Sequence, residues 1–320
     1  MVKKLDELNL IDNFLFEALA GNPELGAAFG RKLVKIILHR IPEKVQIVAQ
    51  RSYPGSNPQL HGARLDVYLE EESAVGKDEA PWSYDIEPEK SRTELSVRSL
   101  PKRVRFYHAK IDSKGLKAGD GYHKLRNVAV ILIMPFDPFG LDRMVYTVCS
   151  QCVEEPDMPY DDGAFTMFLY TKGKKGIPSV ELQQFLTYFE HTTQSNACNR
   201  DLQALHRMVS AVRTDEEVEL AYMKIYEREE MIREEGYGRG LTQGLVQGRS
   251  EGSMLHLLQM MIKKISKGKN IETITEELEE DSETINRLFT LVREHPDKTA
   301  EELLSIETNN ETDSHGFEDS

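Results

Sequence analysis

The run Val128–Met134, VAVILIM, is the strongest constraint on the fold. It is unbroken, rich in β-branched residues and closed by Pro135, with no polar face to offer water, so it reads as a central strand buried on both sides. Such a strand needs a layer above and a layer below. Apolar residues at helical spacing from Asn9 to His39, broken at GNPELG, predict two helices. Leu100, Val104, Tyr107 and Ile111, spaced i, i+4, i+7, i+11, predict a third over Leu95–Ile111. Strands are expected at Val45–Arg51, Arg64–Leu69, Ser83–Glu89, Val145–Val153 and Ala164–Tyr170, and helices at Val180–His191 and Leu202–Val212. The class this pattern predicts is α/β.

With 320 residues and 39% hydrophobic content, the chain can bury one sizeable core and carry a smaller appendage. The expected division is 1–213 for the main domain, 214–265 for a charged helix, 266–308 for a small acidic helical module, and 309–320 for a disordered tail. Within the charged segment Gly236, Gly240, Gly244, Gly248 and Gly252 recur every fourth residue. Glycine disfavours an isolated helix by roughly 1 kcal/mol per site, so the stripe reads either as a helix with a close partner, such as a second copy in a homo-oligomer, or as a flexible spacer. Met254–Ile265, Ile271–Leu278 and Glu283–Arg293 predict short helices suited to packing or protein contact. The net charge of −14 argues against nucleic acid coating the whole surface, but leaves room for a local basic patch. Three cysteines and an N-terminus without an apolar core predict a cytoplasmic setting, and no apolar run is long enough to span a bilayer.

The chemistry concentrates between Gly62 and Lys110, in GARLDVYLEEE, WSYDIEPEKS and PKRVRFYHAK. Period-2 geometry turns Asp66 away from the apolar side of its strand, and it puts Asp85, Glu87 and Glu89 on one face of the hairpin partner, with Ile86 and Lys90 on the other. A solitary strand carboxylate is ordinarily a solvated residue. Three like charges on one face repel, however, and a divalent cation relieves them. A hard cation such as Mg²⁺, with Mn²⁺ as the alternative, takes oxygen ligands. Asp66, Glu87 and the carbonyl of Pro88 are the expected metal ligands, and Glu89 would bind a second ion or accept a proton from attacking water. Arg98, Lys102 and Arg105 form a stripe on the following helix, and together with Arg103 they are the expected phosphate contacts. Tyr107 reads as packing, His108 as a solvated helix residue, and Cys149 and Cys152 as an isolated CxxC without the second pair that a zinc site needs.

The segments NFLFEAL, RLDVYLEEE, YDIEPEKS, LPKRVRFYHAKI and GLKAGDGYHKLRNVAVILI, in this order and spacing, resemble the recombination-promoting nuclease family, also described as transposase-like, within the PD-(D/E)xK nuclease superfamily. The resemblance runs from about Leu10 to Gly140 and extends to the glycine-repeat helix. It implies a restriction-endonuclease-like αβββαβ core with a mixed sheet, and a Mg²⁺-dependent DNA endonuclease. Asp66 and Glu87 match the family's two metal-binding acids. Two positions depart from its pattern. Glu89 stands where the motif has Lys or Gln, and Asn13 stands where an acid precedes FLF, with Asp12 and Glu17 as the nearby acids. The alternative expectation is a catalytically decayed relative that binds DNA or a protein.

Overall fold

The computed structural model describes residues 3–42, 44–53, 63–72, 80–90, 92–116 and 119–315. The expected Ser52–Gly62 loop and the Glu70–Pro81 turn lie largely outside the described residues. The chain forms two compact units, Met1–Ile225 and Tyr226–Ser320. The first therefore runs past the boundary at 213 that composition suggests.

In the first unit the order is α1 (Asn13–Gly21), α2 (Gly26–Leu38), β1 (Val45–Tyr53), β2 (Ala63–Glu71), β3 (Trp82–Pro88), α3 (Glu94–Gly115), β4 (Asn127–Met134), β5 (Val145–Cys149), β6 (Ala164–Tyr170), α4 (Val180–Glu190) and α5 (Arg200–Arg213). The strands make one mixed sheet in the order β1-β2-β3-β4-β6-β5. The β1–β2, β2–β3 and β5–β6 pairs are antiparallel, whereas β3–β4 and β4–β6 are parallel. As expected, β4 is central, and every residue from Val128 to Met134 is buried. The expected strand at Val145–Val153 stops at Cys149.

Alternation sorts the side chains of the sheet into two cores. Val67, Leu69, Tyr84, Ile86, Ala129, Ile131 and Ile133 pack with α1, α2, α4 and α5. Tyr68, Val128, Val130, Leu132, Met134 and Phe168 pack with Leu100, Val104 and Ile111 of α3. Leu65 joins this second core, although alternation groups it with Val67. The β2–β3 ladder runs only from Glu70↔Ser83 to Val67↔Ile86, so the stretch of β2 holding Leu65 and Asp66 lies beyond its pairing with β3.

Thr93 caps α3, its hydroxyl accepting the Ser96 amide at 3.1 Å. Pro101 lies inside the helix. Beyond α5 runs α6 (Glu216–Ile265), one helix of 50 residues that contains the glycine stripe and absorbs the separate helix expected at Met254. The second unit adds α7 (Ile271–Leu278), α8 (Ser282–Glu294) and α9 (Ala300–His315). Its core gathers Leu258, Met261, Ile274, Ile285, Leu288 and Leu303. α9 extends helix into the expected tail, and residues from Gly316 onward lie outside the described residues. Among the described residues, no helix is long and apolar enough to cross a membrane.

Candidate active site

The site grows out of the last residues of β3. Tyr84 and Ile86 belong to the α1/α2 core, so period 2 turns Asp85, Glu87 and Glu89 to the α3 side, as alternation predicts. β3 is an interior strand, flanked by β2 and β4, and burial is correspondingly deep: Asp85 is 0% exposed, Glu87 5% and Glu89 8%. Both carboxylate oxygens of Asp85 and Oε1 of Glu87 are buried without a hydrogen-bond partner among the described residues. A buried ionised carboxylate left in that state costs several kcal/mol.

The protonation equilibria carry the same signature. Burial pushes Asp85 well above the usual carboxylate range, the neighbouring Asp66 charge adds to it, and Arg103 opposes it. Burial likewise raises Glu87, with Asp85, Asp66 and Glu89 adding to the shift against Arg103. Asp66, half-buried on β2, therefore stands close enough to couple to both. The structure thus brings together the expected acids Asp66, Glu87 and Glu89, and adds Asp85 as a fourth. Period 2 places Asp85 on this face among the repelling charges, although the expected metal ligands and catalytic residues leave it out.

Pro88 is buried and pairs with Ile133 of β4. The Glu89 amide donates to the Ile133 carbonyl at 2.8 Å. Successive residues of a strand point their backbone groups to opposite neighbours, so the Pro88 carbonyl is directed toward β2, past the end of the β2–β3 ladder. A proline is tolerated in this interior strand because its missing N–H falls on that same side.

The four expected cations separate. Arg103 reaches over the carboxylates and pairs with Glu89. Arg98 is exposed and pairs with Glu94 at 3.4 Å, and Lys102 and Arg105 are exposed as well. The exposed stripe that periodicity selects is therefore not the part of α3 that contacts the acids. Arg105 instead lines a groove of about 490 Å³ with Pro101, Val104, His108 and Phe139. Tyr107, one turn beyond Arg103, lies beside the acids rather than serving only as packing: burial and then the Glu87 charge raise its hydroxyl above the usual range. The Arg103 guanidinium lies 5.9 Å from the Tyr107 ring centre. The i, i+4 spacing of the two residues was the available signal. His108 is half-buried rather than solvated. Its Nε2 sits 3.0 Å from the Thr166 hydroxyl, and burial holds its pKa down.

Among the described residues, no group of three or more His, Cys, Asp or Glu side chains is arranged to hold a metal ion by itself. Mg²⁺ does not require one, because it keeps several waters and uses one or two carboxylates plus substrate oxygens. Unpartnered, mutually repelling carboxylate oxygens fit that donor set.

No family model matches the chain, and comparison with curated proteins and with solved structures likewise finds no match. Fold and site together define an α/β protein with a mixed sheet and a buried acidic cluster beneath a basic helix.

Proposed function

We infer that the chain is a divalent-metal-dependent DNA endonuclease of the recombination-promoting type, cleaving phosphodiester bonds by hydrolysis. The observation that carries this reading is the set of buried carboxylate oxygens without partners on Asp85 and Glu87, coupled to Asp66 and facing Arg103. The order α2-β1-β2-β3-α3-β4, with β3 parallel to β4, supports it, as an αβββαβ core requires this order. Asp66 and Glu87, with the Pro88 carbonyl, would hold Mg²⁺ or Mn²⁺. The ion, when bound, would polarise the phosphoryl oxygen and lower the pKa of water at neutral pH.

The chain's own residues do the rest. Deep burial excludes bulk water around Asp85 and Glu87, and Arg103 supplies positive charge for a phosphoryl group. Arg98, Lys102 and Arg105, exposed along α3, suit contacts to flanking phosphates, which position a duplex without reading its sequence. A second copy of the chain is the proposed partner of α6. Among the described residues, nothing approaches within 4 Å of a side-chain position built at Gly236, Gly240, Gly244, Gly248 or Gly252, and Leu241, Leu245 and Val246 are exposed.

The test is nicking of supercoiled plasmid by the purified protein with Mg²⁺ or Mn²⁺, compared with Glu87→Ala. Cleavage by the parent and none by the variant is expected, and equal cleavage by both sinks the assignment. One observation favours a second reading, a decayed nuclease that only binds DNA or protein: Glu89 occupies the position of the expected Lys or Gln and is paired with Arg103. That reading predicts metal-independent DNA binding and no nicking.

A further inference from the structure

Arg103 is held differently from the other cations of α3. Its side chain is 31% exposed and that of Glu89 10%, so the pair sits at the rim of the acidic cluster, half out of water. One guanidinium nitrogen, Nη2, donates to Glu89 Oε2, while the buried Nε has no hydrogen-bond partner among the described residues. The Tyr107 ring backs the guanidinium, and the Arg103 charge bears on Asp85 and Glu87. A guanidinium is planar with five donors in a fixed fork, so one anchored nitrogen together with the Tyr107 ring behind it restricts the directions in which the remaining donors point. Such a fork matches the paired non-bridging oxygens of a phosphodiester, which an ammonium meets only as a point charge. The contact commits Glu89 Oε2 to that guanidinium rather than to a second ion or to water.

We propose that Glu89 is a positioning residue that aims Arg103, and that the Arg103 guanidinium binds the non-bridging oxygens of the phosphodiester at the acidic site. This rests on the nuclease reading above. Glu89 acts through Arg103 and not on the metal or the water. Hydrolysis itself is unchanged: water adds to phosphorus, the bond to the leaving oxygen breaks, and that oxygen takes up a proton.

The experiment measures the affinity of the full chain for a fluorescent DNA duplex with Ca²⁺ in place of Mg²⁺, so that binding is read without turnover. Arg103→Gln and Glu89→Gln are each expected to weaken binding about tenfold, with the double variant no weaker than Arg103→Gln alone, because the two residues act as a unit. Arg103→Lys, which keeps the charge without the fork, is expected to fall between parent and Arg103→Gln. Losses that add in the double variant overturn the positioning role and leave the nuclease reading standing. Calorimetric titration with Mn²⁺ gives an independent readout. Glu89→Gln is expected to bind Mn²⁺ nearly as well as the parent, whereas Glu87→Gln loses binding, and a Glu89→Gln loss as large as that of Glu87→Gln overturns the proposal. If Glu89→Gln does not fold, Arg103→Gln decides alone, since unchanged duplex affinity in that variant overturns the proposal. Duplex binding by the parent that is indifferent to Ca²⁺, together with no Mn²⁺ heat, overturns the nuclease reading and this proposal with it.

Discussion

The Lys90 ammonium is paired with the Asp12 carboxylate just ahead of α1, on the opposite side of the sheet from Arg103. Asp12 also accepts the Asn9 amide at 2.7 Å and faces the Lys3 ammonium at 3.3 Å. Burial works to raise its pKa, but the Lys90 and Asn9 hydrogen bonds and the two lysine charges outweigh it and hold the carboxyl below its ordinary value. The acid that precedes FLF and the lysine that follows Glu89 thus satisfy each other and serve the fold.

Lys90→Met is therefore expected to leave nicking activity and Mn²⁺ affinity unchanged while lowering stability by about 0.5–1 kcal/mol, as for a half-exposed ion pair. A depressed carboxyl stabilises the fold above its ordinary pKa, and that contribution is lost as pH falls through the lowered value. The difference between parent and Lys90→Met in urea melts should accordingly shrink toward acid pH. Abolished cleavage in a folded Lys90→Met protein would place Lys90 in the catalytic set.

Asp85 gives the opposite pH dependence. Its folded pKa is raised by burial and by Asp66, so the native state keeps a proton that the unfolded chain has released. The associated stability is full below the ordinary value of 3.8 and drains away as pH rises through the raised one. Asp85→Asn, neutral throughout, should lose less thermal stability than the parent as pH rises above 3.8. Mn²⁺ should flatten the parent's profile too, because metal binding displaces the proton. Parallel melting curves for parent and variant, with no response to Mn²⁺, would show that Asp85 is not strained in the apo protein.

Arg126 fastens the far end of the same hairpin. Its Nε donates to Ser83 Oγ at 2.8 Å, and its Nη2 to the Glu71 and Trp82 carbonyls at 2.5 and 2.9 Å. Removing the guanidinium takes a donor from two backbone carbonyls at the end of β2 and the start of β3, while the Ser83 hydroxyl keeps its Tyr68 partner, so Arg126→Met should lower stability by about 2–3 kcal/mol in urea denaturation. A change below about 0.5 kcal/mol would mean that water replaces these bonds without loss.

The glycine stripe of α6 makes a prediction of mixed sign. In an isolated helix each Gly→Ala change adds up to roughly 1 kcal/mol of helix stability. In a close helix pair the added methyl pushes the partner away. The triple variant Gly240→Ala, Gly244→Ala, Gly248→Ala should be at least as helical by circular dichroism yet sediment as a smaller species than the parent. An unchanged sedimentation coefficient removes the proposed self-association through α6.

The sequence by itself determined the buried central strand and the face to which Asp85, Glu87 and Glu89 turn. VAVILIM has no polar side, and Tyr84/Ile86 alternating with Asp85/Glu87/Glu89 admits one orientation once a core is present. Such assignments rest on local periodicity, which a chain carries whatever its neighbours do. Only the tertiary structure decided which cation meets the acids. Periodicity sets Arg103 apart from the stripe of Arg98, Lys102 and Arg105 without saying which of them meets the acids, and the choice of Arg103 depends on how α3 lies across β2 and β4. The depth of Asp85 was likewise invisible, because it depends on β3 lying between β2 and β4 beneath that helix. So was the fate of Lys90, settled by a contact with Asp12 across 78 positions of the chain. Pairing over such separations is a property of packing, and no local pattern encodes it.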